Sequence, residues 1–427
     1  MIELNKTSKL TGTIIIPSDK SISHRSALLN SISQGEATIN NYSNGQDCLS
    51  TLDVLKNLGV NIDIENKGDF LNLKIKGNGF EGLSKPESLL DAGNSGTTTR
   101  LISGILSTLD FETTLTGDNS LISRPMKRII DPLSLMGANI ESKNYMAPLK
   151  FKPSKLSGIN YNMNISSAQV KSCIMLAALN SSGSTFIAQP SLSRDHTERM
   201  LQGMDASINL DGLNISIKPS KLNPIDLTIP GDISSASFWI VAALIHPNSN
   251  VLLKNVGMNP LRTGIIDVLK SMGGNISIEN KREEANEPVA DIRVSTSDLK
   301  GTEISGDIIP KLIDEIPIII IAASIANGHT IIRNAEELRF KETDRLLAMS
   351  KFLEKSKINH SLYDDGIKIV GGNEFIGGEF DAYDDHRIAM SVAISSIVSK
   401  NMTIIKDHEV ASISYKNFYK HLELLKN

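Results

Sequence analysis

One pattern of helices and strands occurs six times along the chain. In each copy, a polar cluster precedes small and apolar residues at helical spacing, and a short strand rich in Thr, Val and Ile follows. Six positions mark these strands at a nearly constant spacing: Thr38, Thr114, Thr185, Val251, Thr330 and Thr403. Because a fixed period means that each copy is one structural unit, the chain must fold as an assembly of repeats.

Behind each strand, a second helical stretch leads into further strand-like alternation, which predicts an α/β (α+β) fold. Glycine follows the second helix at Gly59, Gly137 and Gly273. A left-handed turn at a helix end favours glycine, and Asp205 breaks this rule in the third copy.

At 427 residues the chain is too long for one ordinary domain, so we predict two domains of three copies each. TGTIIIP before the first helix resembles TIPG at 228–231 before the fourth, which places crossings near 17–20 and 230–234. The first domain would span 20–232. The second would combine 1–19 with 233–427, so that the N-terminal strand packs there.

The composition excludes several classes of protein. A net charge of −4 lacks the clustered positive excess that nucleic-acid binding needs. Apolar runs such as 318–323 are too short to cross a membrane, and the first residues are typical of a strand rather than a signal segment. We therefore expect a cytoplasmic protein with no nucleic-acid or membrane partner.

Basic residues stand at the predicted helix starts, where the helix dipole opposes a positive charge. Lys20 and Arg25 open the first helix, and Arg387 opens that of the sixth copy. Such positions are favourable when an anion binds there. On a helix, Lys341, Glu342 and Arg345 would share one face.

Metal and cofactor sites are not indicated by the sequence. Cys48 and Cys173 lack paired spacing, and His24, His196 and His386 have no partner at metal-ligand spacing. Neither a P-loop nor a dinucleotide-binding motif occurs. The residues alone predict a small polyanionic substrate and acid–base chemistry with no metal and no cofactor.

The sequence resembles the enolpyruvyl transferase family, and within it the 5-enolpyruvylshikimate-3-phosphate (EPSP) synthases. SDKSISHRSALL, GNSGTTTRL, FKETDRL and DDHRIAMS carry much of the likeness. The matching stretches lie in the family's order at 18–29, 93–101, 123–133, 166–179, 193–201, 230–244, 314–323, 340–346 and 384–391.

The resemblance implies a fold and a reaction. The fold is two domains, each of three βαβαββ repeats in an inside-out α/β barrel, with the active site in the interdomain cleft. The reaction moves the enolpyruvyl group of phosphoenolpyruvate to the 5-hydroxyl of 3-phosphoshikimate and releases phosphate. The family expectation is a monomer.

The resemblance also assigns residues. As catalytic groups it implies Asp314, Glu342 and Lys20. The 3-phosphoshikimate contacts would be Lys20, Ser21, Arg25, Ser166, Ser167, Gln169, Arg194, Asp314 and Lys341. The phosphoenolpyruvate contacts would be Lys20, Asn94, Gly96, Arg124, Gln169, Arg345, Arg387 and Lys416. In the family, the herbicide glyphosate occupies the space beside the position of Gly96.

Two alternatives stay open at this point. The sister transferase that acts on UDP-N-acetylglucosamine shares the fold, but it typically carries a cysteine that residues 111–124 lack here. A non-catalytic polyanion-binding homologue is the other alternative, although none of the charged motif residues is lost.

Overall fold

A computed structural model describes residues 1–284 and 286–426. Within them the chain forms two compact units. Unit I comprises Ser18–Ile229 and Glu284–Glu287, and unit II comprises Met1–Pro17, Pro230–Glu283 and Pro288–Asn427.

The chain begins with β1 (Ile2–Leu4) and β2 (Leu10–Ile15) and then passes through three repeats. The first repeat contains α1 (Lys20–Ser31), β3 (Gln34–Ser43), α2 (Gln46–Asn57), β4 (Asn61–Asn66) and β5 (Phe70–Asn78). The second contains β6 (Leu90–Asp91), α3 (Gly96–Leu106), β7 (Thr113–Thr116), α4 (Asn119–Ile122), α5 (Lys127–Leu135), β8 (Asn139–Lys143) and β9 (Met146–Lys152). The third contains β10 (Asn160–Asn162), α6 (Ala168–Ala178), β11 (Thr185–Ala188), α7 (His196–Gly203), β12 (Ile208–Asp211) and β13 (Asn214–Ile217).

Three further repeats complete the chain. The fourth contains β14 (Leu227–Thr228), α8 (Ile233–Ile245), β15 (Ser249–Gly257), α9 (Gly264–Ser271), β16 (Asn275–Glu284) and β17 (Glu287–Ser295). The fifth contains β18 (Glu303–Ile304), α10 (Ile316–Ile325), β19 (His329–Ile332), α11 (Arg345–Lys355), β20 (His360–Tyr363) and β21 (Gly366–Val370). The sixth contains β22 (Gly378–Phe380), α12 (His386–Ser396), β23 (Thr403–Ile405) and α13 (Phe418–Lys426).

Each repeat in the described chain has its own sheet, and the strand order recurs. In the second repeat the order is β6-β7-β9-β8, where β6 runs parallel to β7 and the remaining neighbours are antiparallel. The third and fifth repeats follow the same order. A parallel pair joined by a helix and followed by a hairpin is the βαβαββ unit, and none of these sheets closes into a barrel among the described residues.

Three strands pair with strands of a repeat that is distant in sequence. β2 precedes α1, yet it pairs in parallel with β15, where Leu10 lies opposite Ser249. β14 precedes α8, yet it pairs in parallel with β3. β1 pairs with β23 and supplies the sixth sheet with its antiparallel strand. Each unit is therefore completed by strands distant in sequence.

The first helix of each repeat lies in the core. In unit II, α8, α10 and α12 pack against one another, and every residue of α8 is buried. In unit I, α3 packs against both α1 and α6. A helix that is apolar on all sides is stable only when surrounded. Charged side chains that reach solvent therefore lie mainly near the helix ends.

The turn after the second helix is left-handed in five repeats. Gly59, Gly137 and Gly273 have φ values of 84°, 101° and 93°. Asp205 and Lys357 adopt the same conformation, with φ of 60° and 57°. The Asp205 turn is supported by Asn223, whose Nδ2 donates to Asp205 Oδ2 at 2.8 Å. The loss of glycine in the third copy thus leaves the turn unchanged.

No helix in the described part of the chain has both the length and the apolar character needed to cross a membrane.

Candidate active site

The starts of three core helices meet in unit II. Ser234, in the first turn of α8, donates from its hydroxyl to the carboxylate of Glu315, the residue before α10. Arg387, in the first turn of α12, donates from Nη1 to the carbonyl oxygen of Asp314 at 3.1 Å. The same Nη1 lies 3.7 Å from Glu315 Oε1. Side chains from three repeats therefore converge at these helix ends.

Arg345, the first residue of α11, is shared among three carboxylates. Its Nε donates to Asp385 Oδ2 at 2.8 Å, and its Nη2 donates to Glu342 Oε2 at 2.7 Å. Asp314 Oδ1 lies 3.4 Å from Nη1. The Arg345 side chain is only 1% exposed, and this burial opposes its charge. The three carboxylates outweigh burial and raise the pKa of Arg345, so the cation is permanent.

Lys341 completes this group, because its Nζ lies 3.4 Å from Asp314 Oδ1. We call Asp314, Lys341, Glu342, Arg345, Asp385 and Arg387 the Arg345 cluster. The structure thus brings together the site residues expected in unit II, with the exception of Lys416.

The prediction that Lys341, Glu342 and Arg345 share one face of a helix is wrong. Asp344 caps α11, with its side chain accepting a hydrogen bond from the Leu347 backbone N–H at 3.0 Å. The helix therefore begins at Arg345, and Lys341 and Glu342 precede it. Asp314 likewise lies in a short 3₁₀ segment, Ile313–Glu315, rather than in α10.

Lys416 lies on a different segment of unit II from the residues of the Arg345 cluster. Its side chain is exposed, between the 3₁₀ segment His408–Ile413 and α13. The backbone on either side is anchored, because Tyr415 and Phe418 are buried against Trp239. Trp239 Nε1 donates to the Tyr415 hydroxyl at 2.8 Å.

In unit I, α1 presents two cations from its first turns. Lys20 Nζ donates to Asp47 Oδ2 at 2.8 Å, and Asp47 lies in the first turn of α2. Arg25 is buried, and its Nε donates to Thr197 Oγ1 at 2.7 Å. The Nη1 of Arg25 donates to the Ser21 carbonyl oxygen at 3.0 Å. Arg25 therefore links α1 to α7.

A histidine beside these cations is uncharged. His24 Nδ1 lies 2.6 Å from Thr51 Oγ1 inside unit I. Burial is the main cause that lowers the pKa of His24 to about 3; Lys20 and Arg25 lower it further, and Asp47 opposes them. Lys20 and Arg25 thus supply the positive charge at this helix start at neutral pH, and His24 adds none.

The start of α3 carries two guanidinium groups. Arg124 Nη2 donates to Asn94 Oδ1 at 2.9 Å, and Asn94 Nδ2 donates to Asp118 Oδ2 at 2.8 Å. A Cβ on Gly96 would lie 3.1 Å from Arg100 Nη1 and 3.5 Å from Arg124 Nη1. Two cations against the positive end of a helix make a site suited to an anion.

Gln169 connects α6 to α3. Its Nε2 donates to Thr97 Oγ1 at 3.0 Å, and its Oε1 accepts from Arg100 Nη1 at 2.8 Å. Ser167 caps α6 through its hydroxyl, which accepts from the Val170 N–H. The neighbouring expected residues, Ser166 and Arg194, lie next to α6 and α7, and both are half-buried.

Sequence reasoning missed several residues that hold these groups. Asp47 binds Lys20, Asp118 binds Asn94, Arg100 binds Gln169, and Asp385 binds Arg345. Arg100 could have been found, because it lies one helical turn after Gly96 in a quoted motif. Asp47 and Asp385 read in the sequence as ordinary helix caps.

The chain is similar to known proteins over almost its whole length. The model of the family described as EPSP synthase (3-phosphoshikimate 1-carboxyvinyltransferase) matches residues 4–422. The chain belongs to the EPSP synthase family. This membership confirms the resemblance that the sequence motifs carry.

Individual members of the family match this chain over nearly their whole length. A 3-phosphoshikimate 1-carboxyvinyltransferase of Thermoanaerobacter sp. (strain X514) is 49% identical, covering 99% of this chain and 100% of the relative. The enzyme of that name from Bacillus thuringiensis (strain Al Hakam) is 46% identical, covering 98% and 97%.

Solved structures confirm the predicted fold class. An EPSP synthase from Acinetobacter baumannii matches with a TM-score of 0.89 and 39% identity, covering 99% of this chain and 97% of that one. The enolpyruvyl transferase NikO from Streptomyces tendae matches with a TM-score of 0.80 at 15% identity, a likeness of fold alone.

Removing the charge of Asp385 should destabilise unit II strongly. In Asp385→Asn, the amide oxygen can still accept from the Arg387 N–H and cap α12, but the buried Arg345 loses one of its anions. We expect a loss of roughly 1.5–3 kcal/mol in the free energy of unfolding, because a charge-assisted hydrogen bond of the buried guanidinium is lost while Glu342 and Asp314 remain. Urea unfolding measures this loss.

Glu374→Gln is the matched control. Glu374 pairs with Lys400 at 2.6 Å, but both side chains are largely exposed. An exposed pair contributes little, so the urea midpoint should stay at the wild-type value. Equal midpoints for the two variants would show that the Asp385–Arg345 contact does not support the cluster.

Proposed function

We propose that this protein transfers the enolpyruvyl (1-carboxyvinyl) group of phosphoenolpyruvate to the 5-hydroxyl of 3-phosphoshikimate, giving 5-enolpyruvylshikimate 3-phosphate and phosphate. The observation that carries this is the Arg345 cluster, in which two carboxylates suited to proton transfer lie against a permanent cation. Family membership supports the same reaction, which serves the biosynthesis of chorismate and aromatic amino acids.

The proposed substrates are small anions, so their proposed contacts include cations and hydrogen-bond donors. We assign 3-phosphoshikimate to Lys20, Ser21, Arg25, Ser166, Ser167, Gln169, Arg194, Asp314 and Lys341. Arg25 supports this assignment, because its buried guanidinium is held by three hydrogen bonds in a fixed orientation. A planar guanidinium that is held in place is well suited to a phosphate.

Phosphoenolpyruvate carries a phosphate and a carboxylate, so it needs several cations. We assign it to Lys20, Asn94, Gly96, Arg124, Gln169, Arg345, Arg387 and Lys416. Arg124 and Arg387 support this assignment, because each lies at the positive end of a core helix. An anion bound there relieves the repulsion between the guanidinium and the helix dipole.

In the proposed mechanism, Glu342 gives a proton to the methylene carbon of phosphoenolpyruvate while Asp314 takes the proton of the 5-hydroxyl. The new C–O bond then creates a tetrahedral intermediate that holds a methyl group and the phosphate. Glu342 next removes a proton from that methyl group, the C–O bond to phosphate breaks, and the departing phosphate takes up the proton that Asp314 had gained, so both carboxyls return to their starting states. Lys341 and Arg345 lie against Asp314 and orient it for this role.

Neither alternative drawn from the sequence is favoured. The named relatives are 3-phosphoshikimate transferases, and the charged residues that a non-catalytic homologue would lose are present. We further propose a cytoplasmic monomer that binds no nucleic acid, in keeping with the net charge of −4. Elution from a sizing column at about twice the mass of one chain would contradict the monomer.

Phosphate release should require both proposed substrates. Purified protein mixed with 3-phosphoshikimate and phosphoenolpyruvate should release phosphate, whereas omission of either should abolish release, because the intermediate needs both. A colorimetric phosphate assay measures this. Release with UDP-N-acetylglucosamine in place of 3-phosphoshikimate would indicate the sister activity, and silence with both acceptors would indicate a binding protein.

The absence of a side chain at Gly96 predicts that glyphosate inhibits this protein. The absence of a side chain leaves space beside Arg100 and Arg124, where we expect glyphosate to compete with phosphoenolpyruvate. In Gly96→Ala the new methyl group would crowd Arg100 Nη1, so inhibition should weaken and the KM for phosphoenolpyruvate should rise. The KM for 3-phosphoshikimate is the internal control. An unchanged wild-type rate in high glyphosate at subsaturating phosphoenolpyruvate would refute the prediction.

A further inference from the structure

A lysine inside unit I is surrounded by acceptors. Lys171, in α6, has a side chain only 1% exposed, and its Nζ lies 2.6 Å from Oε1 of Glu198, which is 2% exposed. The same ammonium donates to the Ser193 carbonyl oxygen at 2.9 Å and reaches Gln189 Oε1 at 3.4 Å. These contacts join α6 to α7 and to the segment between β11 and α7.

Stability alone does not explain this ion pair. Burying two charges costs desolvation free energy, and well-packed apolar residues of similar size often serve as well or better. Glu198 Oε2 is also buried without a hydrogen-bond partner among the described residues, which adds to the cost. What the pair supplies that apolar residues cannot is a donor for the carbonyl of Ser193.

That carbonyl lies directly before Arg194, one of the residues proposed to bind 3-phosphoshikimate. Ser193 is tied further by its hydroxyl, which donates to Gln189 Oε1 at 3.2 Å. Because Gln189 and the Ser193 carbonyl share the Lys171 ammonium, the backbone that carries Arg194 is held from inside the unit.

The neighbours of the pair hold a second proposed ligand. Ser172 follows Lys171 on α6, and Thr197 precedes Glu198 on α7. Arg25 donates from Nε to Thr197 Oγ1 at 2.7 Å and from Nη2 to Ser172 Oγ at 3.1 Å. The two hydroxyls are themselves 2.7 Å apart. The Lys171–Glu198 contact therefore fixes the spacing of the two helices on which Arg25 rests.

We propose that Lys171 and Glu198 are positioning residues for 3-phosphoshikimate, acting through Arg194 and Arg25. This inference rests on the proposed function. It predicts a one-sided effect, because Lys171 contacts Glu198 and Ser193, the sequence neighbours of Thr197 and Arg194, whereas its contacts include neither Arg124 nor the Arg345 cluster.

The test is the double variant Lys171→Met/Glu198→Leu, which removes both charges and keeps an apolar filling. Its urea midpoint should return close to the wild-type value, whereas Lys171→Met alone should be strongly destabilised by the unpaired carboxylate. The KM of the double variant for 3-phosphoshikimate should nevertheless rise about tenfold, as the loss of a charge-assisted hydrogen bond predicts. Its KM for phosphoenolpyruvate should stay near the wild-type value.

Met175→Leu is the control, since Met175 is buried in the same helix and its substitution changes packing without removing a charge. Both of its KM values should be unchanged. If the double variant does not fold, Glu198→Gln replaces it, because the amide keeps the shape and a neutral acceptor. The same one-sided rise, of smaller size, is then expected.

A folded variant with a wild-type KM for 3-phosphoshikimate would overturn the inference, and so would an equal rise in both KM values. These results differ from failure of the proposed function. In that case the wild-type protein itself would release no phosphate from the two substrates, and this inference would fall with it.

Discussion

Buried between Asp385, Glu342 and Asp314, the guanidinium of Arg345 ties together the starts of α10, α11 and α12. A cation this deep is stable only with anions around it, and those anions then have fixed places. Two of them, Asp314 and Glu342, remain partly exposed on the side away from the core. The charge that stabilises the helix ends therefore also aims the groups proposed to move protons.

The repeats explain why so many charged groups gather at helix starts. Each repeat buries its first helix, so charged side chains are rare deep within it, where each needs a partner as Lys171 has in Glu198, and most of them lie near the helix start. Six copies multiply this effect. In unit I, Arg25 is held by hydroxyls, Arg124 by an amide and Lys20 by a single carboxylate. In unit II, Arg345 lies among three carboxylates. The first set suits anion binding, and the second suits acid–base chemistry.

Much of the fold could be predicted from the sequence, because the helices and strands of each repeat are indicated by the local spacing of apolar residues. The start of α11 could not, because the Asp344 cap competes with a continuous helical pattern from Lys341. The exchange of β2 and β14 between repeats was suggested by the matching prolines, but the partner strands depend on contacts distant in sequence.

The candidate site divides in the same way. Lys20, Arg345 and Arg387 stand out because a cation at a helix start is unusual in any sequence. Lys171 and Asp47 do not, because their importance comes from a partner in another element, which no local pattern reveals. Lys416 follows an anchored tyrosine, and its predicted role depends only on the resemblance to the family.

Deuterium from solvent tests most directly whether a proton is added to carbon and later removed. Glu342 is partly exposed, so its proton exchanges with D₂O before each turnover. In D₂O, the methyl group of the intermediate should gain one deuterium and then lose any one of its hydrogens, leaving deuterium in the methylene group of the product. Mass spectrometry detects it. Product formed in full yield with no deuterium in that group would contradict addition followed by elimination.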